Sequence, residues 1–280
     1  MRPSVLASAV LVAAAVPGVA HAQTEPPSEV TVSGSAAIVS DYRLRGVSRS
    51  DKDVAVQGGV TAAHASGAYA GIWASSVGGW GSLGGAEAEI DLTGGFRTDI
   101  GPISTIDVGA TWYIFPGGGS ASDYIEPYVK LGTTLGPASV TAGVAYAPPQ
   151  ESLGRWYANG GEFAAGAPSR PGDEEDNLYL WGDANVALAG TPVTLNGHLG
   201  HSDGNPGLGP NGFSLAPTGS YWDWSLGADA TWRNLTLGVA YVDTDIGRGE
   251  ANYLRPSFAN RNDGGSVADA TLVVSLSAAF

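Results

Sequence analysis

The feature that most limits what this chain can become is an alternation of apolar and polar residues with period two. It recurs in segments of about ten residues that are separated by turn-forming residues. Residues 86–96 carry it most clearly: Ala86, Ala88, Ile90, Leu92 and Phe96 fill the even positions, and Glu87, Glu89, Asp91 and Thr93 the odd ones. Successive side chains of a strand point to opposite faces, so this segment has one greasy face and one acidic face. The same division appears at Ile106/Val108/Ala110/Trp112/Ile114 against Asp107/Thr111/Tyr113, and at Ile125/Val129/Leu131/Leu135 against Glu126/Lys130/Thr134. It returns at Leu178/Leu180/Ala184/Val186/Leu188 against Asn177/Asp183/Asn185, and at Trp222/Trp224/Leu226/Ala228/Ala230/Trp232 against Asp223/Ser225/Asp229/Thr231.

A soluble sandwich also alternates, so what caps the apolar face decides between the two. Trp222 and Trp232 share one face and lie ten residues apart. At about 3.3 Å per residue and a tilt of about 40°, that spacing projects to roughly 25 Å, the height of the lipid-facing band between the aromatic girdles of a transmembrane barrel. Trp112 belongs to a similar outward row. Beyond the N-terminal segment no stretch approaches the roughly 18 apolar residues of a spanning helix. A membrane-embedded form of this chain is therefore made of strands.

Strands are expected near 30–42, 54–64, 69–76, 86–97, 103–115, 124–135, 139–147, 177–188, 193–201, 221–233, 235–243 and 269–280. That gives an all-β, transmembrane antiparallel barrel of about 12 strands, an even number as single-chain bacterial barrels have. The connections alternate between short turns and long loops, including 148–176, 202–220 and 244–268. Short turns face the periplasm in such barrels, which puts the N- and C-termini there as well. The long loop at 148–176 is expected to project into water and to tolerate changes of length.

The first 22 residues read as a Sec-type signal peptide: Arg2, an apolar run over 5–16, and an Ala20-His21-Ala22 cleavage site. The mature chain, 23–280, is expected to be a single barrel in the cell outer membrane. Leu272, Val274, Leu276, Ala278 and Phe280 form a final apolar row that resembles the C-terminal signature strand of outer-membrane proteins, which implies handling by the outer-membrane assembly machinery with Phe280 as the candidate signal. There are no cysteines, so the fold is held without disulfides. A net charge of −14 excludes a nucleic-acid partner, whose phosphates it would repel. The 42 glycines, 8 tryptophans and 11 tyrosines, against 14% charged residues, fit a barrel better than an ordinary soluble domain.

Residues 40–50 (SDYRLRGVSRS), 56–59 (VQGG), 66–75 (SGAYAGIWAS) and 86–95 (AEAEIDLTGG), with 113–116 (YIFP) and 124–128 (YIEPY), resemble the TorF family of porin-like proteins, earlier catalogued as a proteobacterial family of unknown function. The likeness covers most of the mature chain and is densest before residue 150; the inserts at 148–176 and 202–220 depart from it. It implies an outer-membrane barrel and names no catalytic residues.

The inward-facing acids Glu87, Glu89, Asp91, Asp107, Glu126, Asp183 and Asp229 are the candidate lumen lining, and acidic rings favour cations in a pore. The alternative is that Lys130 and Arg97 pair with them and the side chains fill a narrow barrel. Asp41, Tyr42, Arg43 and Arg45 stand at the outer end of the first strand. Either the arginines face the lumen opposite the acids, or they reach lipid phosphates beside a girdle tyrosine. Trp112, Trp222 and Trp232 are the girdle residues. Two G-x-G-x-x-G matches, at 79–84 and 207–212, lack the strand-to-helix context of a dinucleotide site. The acidic loop 172–177 lacks calcium-ligand spacing, and no metal or cofactor is expected.

The expected function is a porin-like channel for small solutes or ions, in contact with outer-membrane lipids. A non-conducting structural or receptor barrel is one alternative. A lipase-type barrel is another, but of the candidate bases His64 lies near a turn, His198 points into the lumen, and His201 and Ser202 are adjacent and so face opposite ways.

Overall fold

The computed structural model describes residues 29–280, so the signal-peptide expectation for 1–22 lies outside the described residues. Among the described residues, twelve strands form one closed sheet. They are β1 (Val30–Val39), β2 (Ala55–His64), β3 (Ala68–Ser76), β4 (Ala88–Asp99), β5 (Ser104–Ile114) and β6 (Tyr124–Leu135). The chain continues with β7 (Ala138–Gln150), β8 (Glu175–Ala187), β9 (Val193–Gly204), β10 (Ser220–Trp232), β11 (Leu235–Thr244) and β12 (Thr271–Ala279). Each pairs antiparallel with its sequence neighbours, and β1 also pairs with β12, from Ser35 opposite Ala279 to Val39 opposite Ser275. Closure leaves no unpaired edge, which is what allows strands to lie in hydrocarbon.

The period-two pattern is realised as expected. Leu92, Phe96, Trp112, Leu131, Leu180, Trp222, Leu226, Trp232, Leu272 and Leu276 all stand exposed on the outside of the barrel, while the polar residues of the same strands turn inward. The seam is extended by Gly34 and Phe280, whose backbones exchange hydrogen bonds of 2.7 and 3.0 Å. A Cβ at position 34 would run into the Phe280 ring, so the glycine is what lets the terminal aromatic lie flat across β1.

Short turns at 65–67, 100–103, 136–137, 188–192 and 233–234 occupy one end of the barrel, and long loops the other. Several strand boundaries differ from expectation by two or three residues, and two of these differences change what faces the lumen. The first strand stops at Val39 because the chain then folds into the barrel. The fourth begins at Ala88, so the alternation read through residues 86 and 87 is broken: Ala86 is buried among loop residues and Glu87 lies exposed in the bend before β4. Glu87 is therefore removed from the inward acidic row.

All six long loops meet in one apolar cluster that closes their end of the barrel. Val47, Trp80, Leu83, Phe115, Leu153, Tyr157, Leu208, Phe213, Leu254, Phe258 and Val267 are buried there. The Trp80 ring stands edge-on to Phe258 at 4.7 Å, and Tyr157 and Leu208 exchange two backbone hydrogen bonds of 2.9 Å. The loop 148–176 does not simply project into water. It carries Leu153 and Tyr157 into this dome, with a short helix at Gly160–Ala164 packed beside them. The first G-x-G-x-x-G match serves the same packing, since any Cβ at Gly81 would collide with the Arg49 backbone.

Candidate functional site in the barrel lumen

Beneath the dome, the first loop sends a small hairpin into the lumen. Arg43 pairs with Ser48 and Leu44 with Val47, around a turn at Arg45 and Gly46. Both turn residues have positive φ, 51° and 76°, the backbone of a tight two-residue hairpin, and Gly46 also sits too close to Thr244 for a side chain. Asp41, Tyr42, Arg43 and Arg45 are all buried. The reading of Tyr42 as a girdle residue and of the arginines as lipid ligands is thereby corrected: the loop turns inward because the barrel interior offers these groups partners that the rim does not.

Arg45 forms the tip. Its Nη2 lies 2.6 and 2.7 Å from the two Glu126 oxygens, its Nη1 donates to Asn177 Oδ1 at 2.8 Å, and the guanidinium lies 4.1 Å from the centre of the Tyr179 ring. Tyr221 Oη donates to the Arg45 carbonyl at 3.1 Å. Burial works against the charge on Arg45, but Glu126 more than offsets it, and the pKa rises. Around this tip, Arg43 pairs with Asp41 at 2.7 Å and Arg49 donates to Tyr124 Oη at 2.9 Å. Tyr42 Oη donates to Glu89 Oε1 at 2.9 Å, and burial together with that carboxylate raises the tyrosine pKa.

Farther toward the short turns, Asp107 is held by Arg97 at 2.7 Å and by Tyr69 Oη at 2.6 Å, with Tyr69 also bonded to Tyr128. Lys130 stands across the ladder from Asp107, its Nζ 4.1 Å from the Tyr128 ring centre. Farther round the wall His198 bridges two carboxylates: Nδ1 lies 2.7 Å from Asp183 Oδ1 and Nε2 3.1 Å from Asp223 Oδ1. Tyr179 Oη is 2.8 Å from His198 Nε2, which connects this bridge to the Arg45 tip. Asp229 accepts from Asn196 Nδ2 at 2.7 Å. The rest of the lumen toward the short turns is lined by half-buried small polar residues such as Ser33, Thr93, Thr111, Thr141 and Ser275.

Of the acids expected in the lumen, Glu89, Asp91, Asp107, Glu126, Asp183 and Asp229 face it and Glu87 does not. Arg97 pairs with Asp107, as the space-filling alternative anticipated. Trp112, Trp222 and Trp232 lie on the outer surface. Arg49, Asn177, Tyr179 and Asp223 complete the site. The last three have the inward parity of their strands, a legible signal, whereas Arg49 sits in a loop and has none. His201 packs outward against Trp222, ring centres 4.6 Å apart, while Ser202 is buried inside, so this pair makes no outward dyad. His64 Nδ1 lies 2.9 Å from Ser66 Oγ, a contact that closes the exposed turn after β2.

Residues 23–280 match the model of a family described as a bacterial protein of unknown function, Gcw_chp. No curated protein matches the sequence. Among solved structures the chain is similar to the KdgM porin in complex with disordered oligogalacturonate, at 9% identity over 89% of this chain and 99% of that one, with a TM-score of 0.49. It is also similar to an outer-membrane channel from Pseudomonas putida F1, at 11% identity over 92% and 99% of the two chains and a TM-score of 0.44. LpxR from Salmonella typhimurium is similar at 6% identity over 89% and 99%, with a TM-score of 0.43.

Proposed function

The chain belongs to the Gcw_chp family of bacterial proteins of unknown function, and we propose that it works in the outer membrane as a porin-like channel for small solutes, with a preference for cations. In this reading the short turns face the periplasm, the loop dome faces outward, and residues 1–22 direct export. The resemblance to the TorF family points the same way. The observation that carries the proposal is the inversion of polarity across the wall, apolar outside and charged inside. Among the described residues the inward acids Asp41, Glu89, Asp91, Asp107, Glu126, Asp183, Asp223 and Asp229 outnumber Arg43, Arg45, Arg49, Arg97, Lys130 and His198, and such an excess favours cations.

A second reading, a non-conducting barrel, is favoured by one specific observation: the dome and the Arg45 hairpin close the long-loop end. Planar-bilayer recording in a salt gradient separates the two. The channel reading expects conductance with a cation-selective reversal potential that moves toward zero when Glu89→Gln and Asp91→Asn are combined. Silence of the folded parent favours the closed barrel, and an anion-selective parent rejects the proposed preference.

A further inference from the structure

The lumen acids do not all have equal company. Asp41, Glu126, Asp107, Asp183 and Asp223 pair with a base, Asp229 accepts from an amide, and Glu89 accepts from Tyr42. Among the described residues Asp91 has no hydrogen-bond or ion-pair partner, although it is only 7% exposed and its Oδ1 is fully enclosed. Glu89, two residues along the same face, is entirely buried and has one unpartnered oxygen as well. Arg49 attracts both through space; its Nη2 donates to Tyr124 and its guanidinium lies over the Phe213 ring, while its buried Nη1 has no hydrogen-bond partner among the described residues. One guanidinium thus faces two carboxylates, and a negative charge is left over.

The walls around Asp91 are aromatic. It lies in register between Trp73 of β3 and Tyr113 of β5, and such directly opposed residues hold their Cβ atoms about 4.5–5.5 Å apart. Trp73 lies against Gly59, where any Cβ would press on the indole, and its Nε1 has no partner among the described residues. On the side of the short turns the next inward residues are Thr93 and Thr111, half-buried and small, and beyond them the Tyr69 and Tyr128 side chains lie against Gly95 and Gly109.

We infer that Asp91, flanked by the Trp73 and Tyr113 rings, anchors a binding site for an alkylammonium group, the cationic end of a small amine solute. A carboxylate supplies the countercharge, and aromatic faces attract a cation that has shed water. A hard divalent ion would need more oxygen ligands, and among the described residues no group of three or more His, Cys, Asp or Glu is positioned to hold a metal. A buried carboxylate without a partner costs stability, and a ligand gives that cost a purpose.

The inference rests on the proposed channel only in that a solute must reach the lumen, so binding is measured without conduction. Isothermal titration of the folded, detergent-solubilised full barrel with n-butylammonium should give saturable binding, and n-butanol, its neutral counterpart, should give none. Asp91→Asn should weaken butylammonium binding at least about tenfold and raise the unfolding midpoint, because it removes the unpartnered charge. Trp73→Leu, which keeps the carboxylate, should weaken binding about threefold or more. Equal binding of butanol, an absence of binding to the parent, or an unchanged affinity in a folded Asp91→Asn barrel overturns the site. Conductance without binding sinks this site alone, and binding without conductance sinks the channel alone.

Discussion

The two ends of the lumen are held together by different physics. At the long-loop end the interior is packed like that of a soluble protein, with Trp80, Leu254 and Phe258 buried and Arg45 locked to Glu126. Toward the short turns the wall is lined by small hydroxyl residues and the sheet itself does the holding, since closure satisfies every ladder. A barrel wall needs no core, so a core at one end is an addition with its own stability. The dome should therefore loosen without the wall coming apart.

The largest effect is expected from Arg45→Ala, which strands the Glu126 carboxylate in the interior. Loss of a buried partner costs about 3–5 kcal/mol, felt as release of the hairpin and not as unfolding of the barrel. Hydrogen exchange across residues 40–54 should rise steeply and single-channel conductance should increase. The pair Arg45→Ala with Glu126→Gln should recover part of the protection, and a double variant no better than the single would break the assignment of the hairpin as a charge-locked plug.

Next is Leu254→Ala in the dome, expected to cost about 2–5 kcal/mol as a core truncation. Loop cleavage by protease should quicken while the folded barrel still migrates differently before and after boiling. Loss of that gel shift together with the dome would show that the two ends form one cooperative unit. By the same logic, trimming residues 151–174 should open the dome, because Leu153 and Tyr157 leave with it.

Phe280→Ala acts on the wall instead. Its ring covers Gly34 at the seam but is 76% exposed, so the equilibrium cost is about 1 kcal/mol. Quantitative fractionation should show reduced outer-membrane yield with the dome intact, and normal yield would remove Phe280 as an assembly signal. Thr93→Val, finally, deletes a 3.1 Å hydroxyl contact with Thr111 in the half-filled part of the lumen. A shift in stability within about 0.5 kcal/mol is expected by chemical denaturation, and a change above about 2 kcal/mol would mean that this half is as tightly packed as the dome.

The wall was legible in the sequence because a strand carries its instructions locally. Residues 88–96 state by alternation which side chains face lipid and which face the lumen, and Leu92 and Asp91 are found where that pattern puts them. Trp222 and Trp232 mark both ends of one outward row, and the short turns show where each strand must reverse. The same local rule failed at Ala86 and Glu87, where a loop contact outside the strand inverted the faces.

What fills the lumen could be decided only by the tertiary structure. Period two says that Glu126 and Asn177 point inward, but not that Arg45 will meet them, from 81 and 132 residues away. The loops that make the dome have no periodicity to read, and Leu153, Phe213 and Phe258 become neighbours only because the closed sheet brings six loop bases to one rim. It is also the closed structure, in which the other buried lumen acids each found a donor, that left Asp91 without a partner among the described residues. The sequence by itself determined the wall, because pleating is a nearest-neighbour property; the plug and the unpaired carboxylate depended on which distant groups the closed sheet brought into the same small volume.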